Sequence, residues 1–167
     1  GFSLISYHLV IKKIFLFSTI PILYMIAMGV DGIVAPFIGN LYDRIKFKSL
    51  IFIPFLTVLL PFFSFSLNLY FSIIGIIIYG VIMGCHETVL RASIADIIPP
   101  EKRGMAYGIF NSIYGFGFFI SGWIIGFLYE TDFRYIWFYV ICTEIISFLC
   151  LLFQIKKIKN VEETGQI

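Results

Sequence analysis

Long apolar runs separated by short charged clusters set the pattern of this chain. A helix that crosses a bilayer needs about 20 mostly apolar residues. Five stretches reach that length: 20–41, 49–67, 70–98, 104–129 and 135–153. Thr19 is placed to cap the first, and Pro21 falls in its first turn, where a missing N–H costs nothing. The second contains Pro54 and Pro61 and is expected to be kinked, which neighbouring groups in a membrane can accommodate. The third ends at Pro99-Pro100. The piece before Lys12-Lys13 is apolar but too short to span, so it reads either as an interfacial helix or as the stub of a preceding span. It has no initiator Met and no basic leader, unlike a signal peptide. The chain is expected to begin in the middle of a longer architecture.

Composition supports lipid as the solvent. Hydrophobic residues make up 60% and charged residues 13%, against about 45–50% and 25% in soluble domains. The mean hydropathy is +0.98. The net charge of +2 decides nothing; the placement of the charges does. Arg44, Lys46 and Lys48 follow the first span, Lys102 and Arg103 the third, and Lys156, Lys157 and Lys159 the fifth. These regions alternate onto one side, which the positive-inside rule makes cytoplasmic. Lys12, Lys13 and Arg134 fall on the other. The expectation is a multi-pass protein of the cytoplasmic membrane, with a helical bundle over 1–154 and a cytoplasmic tail over 155–167, frayed from Asn160 onward.

Gly104, Gly108, Gly115, Gly122 and Gly126 share one stripe of the fourth span at about 100° per residue. Gly80 and Gly84 repeat the spacing in the third. Small residues let helices approach closely in lipid, so both sets predict tight packing. Cys85, Cys142 and Cys150 lie in apolar surroundings without metal-ligand spacing and read as small hydrophobes. No metal site, cofactor motif or enzyme motif is present. Gly115-Phe116-Gly117 follows no strand and is not a nucleotide loop, and the basic tail suits anionic lipid better than nucleic acid.

Ionisable groups inside spans are expensive and mark candidate functional sites. Asp31, Glu87 and Glu144 each lie about 15 Å from the basic end of their span, near the midplane. Glu87 and Arg91 stand at i and i+4 and share a face, and Arg91 is at a depth from which it can reach Asp31 as a shared partner. A self-neutralising structural pair and a proton- or solute-responsive cluster both fit these residues. His86 points away from Glu87. Glu144 has no partner in its own span and either pairs with another helix or simply packs. His8 reads as incidental.

The run Gly39-Asn40-Leu41-Tyr42-Asp43-Arg44-Ile45-Lys46-Phe47-Lys48 resembles the Gly-x-Leu-x-Asp-Arg-x-Gly-Arg-Lys signature of the major facilitator superfamily of secondary transporters. Gly39, Leu41, Asp43, Arg44 and Lys48 match; Lys46 and Phe47 replace Gly and Arg. Arg91 to Asp96, Pro100 to Gly104, Ala106 and Gly108 resemble the family's link between its tenth and eleventh helices. The resemblance implies an all-α integral membrane fold: five transmembrane helices plus an N-terminal helical stub, the end of helix seven through helix twelve of a twelve-helix transporter. It implies a small-molecule solute at the midplane, a partner six-helix half, and a conformational lock. In that lock Asp43 faces the start of the fourth span at Gly104, and Arg44 meets Glu101 or Asp96, with Gly39 and Arg103 in the same motifs. A non-transporting membrane scaffold or subunit of the same fold is the alternative.

Overall fold

The computed structural model describes residues 2–163. Among the described residues the chain forms six α-helices: α1 (Phe2–Ile11), α2 (Ile20–Ile45), α3 (Ile53–Ser64), α4 (Leu69–Ile97), α5 (Arg103–Thr131) and α6 (Phe133–Glu163). Among the described residues four segments are long and apolar enough to cross a membrane: Phe17–Ile45, Leu69–Ile97, Pro100–Thr131 and Arg134–Lys156.

The expected second span is the exception. Pro54 does not kink a long helix; it sits in the first turn of a short one, where its fixed φ favours initiation. The residues before it form a separate 3-10 turn over Lys46–Leu50. The 12-residue α3 covers about 18 Å, well short of the roughly 30 Å of a hydrocarbon core. Four spanning helices, rather than five, are therefore long enough. At the other end α6 continues to Glu163, so the boundary at 154 falls within a helix. Of the tail expected to fray, 160–163 belong to α6, and 164–167 lie outside the described residues.

The bundle is built on α2 and α4. One apolar cluster joins Ile5 and Leu9 of α1 to Leu23 and Ala27 of α2 and Ile76 and Tyr79 of α4. The short α1 thus packs into the bundle. A second cluster joins Ile38 and Tyr42 of α2, Ile53 of α3, and Ile82, Cys85 and Val89 of α4. Close approach is made possible by glycine. A Cβ on Gly80 would collide with the Ala27 carbonyl oxygen, and one on Gly84 would lie 2.9 Å from that of Asp31. The pattern at Gly80 and Gly84 therefore does what its spacing predicts. The stripe on α5 does not. A Cβ at Gly104, Gly108, Gly115, Gly122 or Gly126 would meet nothing within 4 Å, and no α5 residue is buried. At these positions no other part of the described chain comes into van der Waals contact with α5.

Candidate functional site

In the C-terminal half of α4, Arg91 Nη2 donates to Glu87 Oε2 at 3.1 Å. The pairing follows from i,i+4 spacing on one helix face. Asp31 reaches the same region from α2. Its backbone and carboxylate lie against Gly84, one turn before Glu87, and any side chain there would push α2 away. Asp31 makes no ion pair among the described residues, yet Glu87 and Arg91 both act on it electrostatically. Among the described residues the Arg91 side chain is bonded to Glu87 and does not bridge both carboxylates. The local charge is one cation against two carboxyl groups.

α5 completes the surroundings. Tyr107 Oη donates to the Arg91 carbonyl at 3.0 Å, joining α5 to α4. One turn further, Phe110 and Asn111 face the pair, followed by Tyr114. With Glu87, Leu90 and Arg91 they line a cavity of about 100 Å³. Phe110 and Tyr114 stack with centroids 5.5 Å apart, and Phe118 continues the ladder edge-on at 5.0 Å from Tyr114. The sequence reading did not single out Phe110, Asn111 or Tyr114, although aromatics at i and i+4 beside an amide were a visible signal. The arrangement offers a carboxylate, a guanidinium, an amide and a ring face to one small molecule. Glu144 lies on α6 without an ion pair among the described residues.

The second site lies where α2 meets the end of α4. Gly39 faces Thr88 across the helix interface, and an added Cβ would sit 3.7 Å from the Thr88 methyl. Tyr42 is buried. Asp43 and Arg44 are exposed on the last turn of α2, and neither side chain makes an ion pair or hydrogen bond among the described residues. The expected pairing of Arg44 with Asp96 is not formed, because Lys46 takes that carboxylate: Nζ lies 2.8 Å from Asp96 Oδ2. Arg44 does not pair with Glu101 either, and Glu101 is exposed. Arg103 donates from Nη2 to the Ala95 carbonyl at 2.7 Å and from Nε to the Ile98 carbonyl at 3.0 Å. It thereby satisfies carbonyls at the end of α4 that have no intrahelical partner. Gly104 faces open space.

Lys46 has φ 51° and ψ −134°, a backbone region that glycine enters readily and other residues occupy at a cost of about 1–3 kcal/mol. It stands where the resembled signature has Gly, so this chain keeps the glycine-like turn and adds a cation. The ammonium reaches Asp96, lies 5.2 Å from the Tyr42 ring centroid, and is held above the ordinary lysine range chiefly by its hydrogen bond with Asp96. Ser49 Oγ donates to the Lys46 carbonyl at 2.7 Å and closes the turn.

His8 is not incidental in the structure. It is buried, and its Nδ1 lies 2.8 Å from Tyr129 Oη, linking α1 to the far end of α5. Among the described residues no group of three or more His, Cys, Asp or Glu side chains converges to hold a metal ion.

A family model described as Major Facilitator Superfamily matches residues 3–166. An uncharacterised protein of Mycobacterium tuberculosis is 32% identical over 155 residues, covering 93% of this chain and 38% of the relative. The corresponding protein of Mycobacterium bovis gives the same figures. The quinolone resistance protein NorA of Staphylococcus aureus is 26% identical over 135 residues, covering 80% of this chain and 35% of that protein. The chain thus spans little more than a third of the length of these curated relatives. No solved structure matches it significantly.

Proposed function

Because the chain belongs to the Major Facilitator Superfamily, a family of membrane transporters rather than enzymes, we propose that it is the C-terminal half of a secondary transporter. Its α1 corresponds to the end of helix seven, and α2 to α6 correspond to helices eight to twelve. The open α5 positions Gly104, Gly108 and Gly115 and the 38% coverage of the mycobacterial relatives support a partner half. The Lys46, Lys102 and Lys156 ends face the cytoplasm, as the distribution of basic residues favours.

The observation that carries the proposal is the open cavity beside Glu87 and Arg91, walled by Phe110, Asn111 and Tyr114, with Asp31 close by. A charge group inside a span is costly unless it is used or neutralised. Here one carboxyl group remains after Arg91 has taken its partner. A small solute binds against the α5 rings and the polar side chains of α4. Asp31 or Glu87 takes up and releases the coupled proton as Arg91 moves relative to them. The Lys46–Asp96 contact and the Asp43 turn hold the cytoplasmic end in one state of an alternating-access cycle.

The test is transport in proteoliposomes by the protein that carries this chain, with a proton gradient imposed. Asp31→Asn or Glu87→Gln is expected to abolish uphill accumulation while sparing solute exchange. Intact uphill accumulation in both variants would reduce the three charges to a structural cluster. Absence of any solute movement in the unmodified protein would favour the scaffold alternative.

A further inference from the structure

The other end of α5 carries a larger cavity, of about 490 Å³, between α1 and α5. We propose that it binds an organic ammonium cation. Its lining includes the aromatic residues Tyr7, Trp123, Phe127 and Tyr129, together with Glu130. Among the described residues no Lys or Arg lines it. Ring faces attract cations through their quadrupole, with Trp and Tyr the stronger partners, and several rings around one charge recognise alkylated ammonium groups. The carboxylate supplies the countercharge. The volume falls within the range of about 300–1,000 Å³ typical of small-molecule sites.

Two features distinguish this cavity from aromatic residues that merely mark a membrane interface. First, it is concave because Gly122 and Gly126 form part of its wall; a Cβ on either would occupy open space. Second, two of its rings are held in place. Tyr129 is fixed by the 2.8 Å contact between its hydroxyl and His8 Nδ1. Tyr7 meets Tyr129 edge-on, with centroids 5.8 Å apart. His8 is 4% exposed and is a positioning residue: it aims Tyr129 and does not line the cavity. Lys12 acts on His8 electrostatically but lies outside the lining. Pre-ordering of this kind lowers the entropic cost of binding.

The cavity is separate from the one beside Glu87 and Arg91, and binding here does not depend on transport. The experiment uses the 167-residue chain in phosphatidylcholine nanodiscs, with Trp137→Phe so that Trp123 alone reports. Phenyltrimethylammonium is titrated against its uncharged isostere, tert-butylbenzene. The expected result is a saturable change in Trp123 fluorescence with the cation. Glu130→Gln should weaken it at least tenfold and Glu130→Asp should partly restore it. His8→Phe should weaken it several-fold while preserving the advantage of cation over isostere. Glu130 is exposed, so its variants retain the fold, which far-ultraviolet circular dichroism checks. A non-saturable response, equal midpoints for the cation and tert-butylbenzene, or an unchanged midpoint in Glu130→Gln would each overturn the proposal.

Discussion

Replacing Gly80 by Ala adds a single methyl group where α2 and α4 touch. Ordinary non-bonded carbons sit about 3.5–4.0 Å apart, whereas the new Cβ would fall 2.9 Å from Val30 Cβ and closer still to the Ala27 carbonyl oxygen. The carbonyl belongs to a helix backbone and cannot rotate away, so α2 has to retreat by roughly 1 Å. Overpacking of this kind costs about 1–3 kcal/mol. Alanine recovers up to about 1 kcal/mol through helix propensity, leaving a net loss of about 1–2 kcal/mol. For a chain of this size that lowers the unfolding midpoint by about 3–6 °C. Gly122→Ala is the matched control, because its Cβ meets nothing within 4 Å and only the propensity gain of up to about 1 kcal/mol remains. Cys85 is fully buried at the same interface and reports the loss of packing. With Cys142 and Cys150 changed to Ser, thermal unfolding in detergent can be followed by a thiol-reactive fluorophore. A midpoint for Gly80→Ala at or above the parent's, or an equal fall in Gly122→Ala, would refute the claim that the α2–α4 seam organises the bundle.

Two further outcomes follow from the charged sites. Lys46→Ala keeps the unfavourable backbone and removes the contact with Asp96, so it should destabilise the α2–α3 turn more than Lys46→Gly, which relieves the backbone; hydrogen exchange over 42–50 measures the difference, and equal protection in the two variants would count against it. Arg91→Ala leaves Glu87 without its partner inside a span, where an unpaired charge is unfavourable unless the carboxyl is neutralised. The double variant Arg91→Ala with Glu87→Gln should therefore unfold at a higher temperature than Arg91→Ala alone, and additive effects would show that the two residues are uncoupled.

Much of the architecture is legible in the apolar runs. Ile20, Leu69 and Arg103 begin helices within a residue of where the pattern places them; Pro21 falls in the first turn of α2 as expected, while the Thr19 hydroxyl donates back to the Leu16 carbonyl instead of capping that helix. Asn68 caps α4 by accepting from the Tyr70 N–H at 2.9 Å. The length of α3 is misread because apolar residues on both sides of Pro54 hide a helix start within the run. The α5 glycines show that a small-residue stripe identifies a face that can be approached, without naming what approaches it. At the candidate site, helical spacing brings Glu87 to Arg91, but only packing reveals that Gly84 makes room for Asp31. Lys46 departs visibly from the resembled signature. Its unusual backbone and its contact with Asp96 depend on where α4 ends, which local sequence does not specify.

The claim that the Glu87–Arg91 cavity is the solute site of an alternating-access transporter is tested most directly at Asn111. In the protein that carries this chain, cleared of Cys85, Cys142 and Cys150, Asn111→Cys would be exposed to an impermeant thiol reagent from each side of the membrane in turn. The account predicts labelling from both sides, with the balance between them shifted by an imposed proton gradient. Labelling from one side alone under every condition, or from neither, would contradict it.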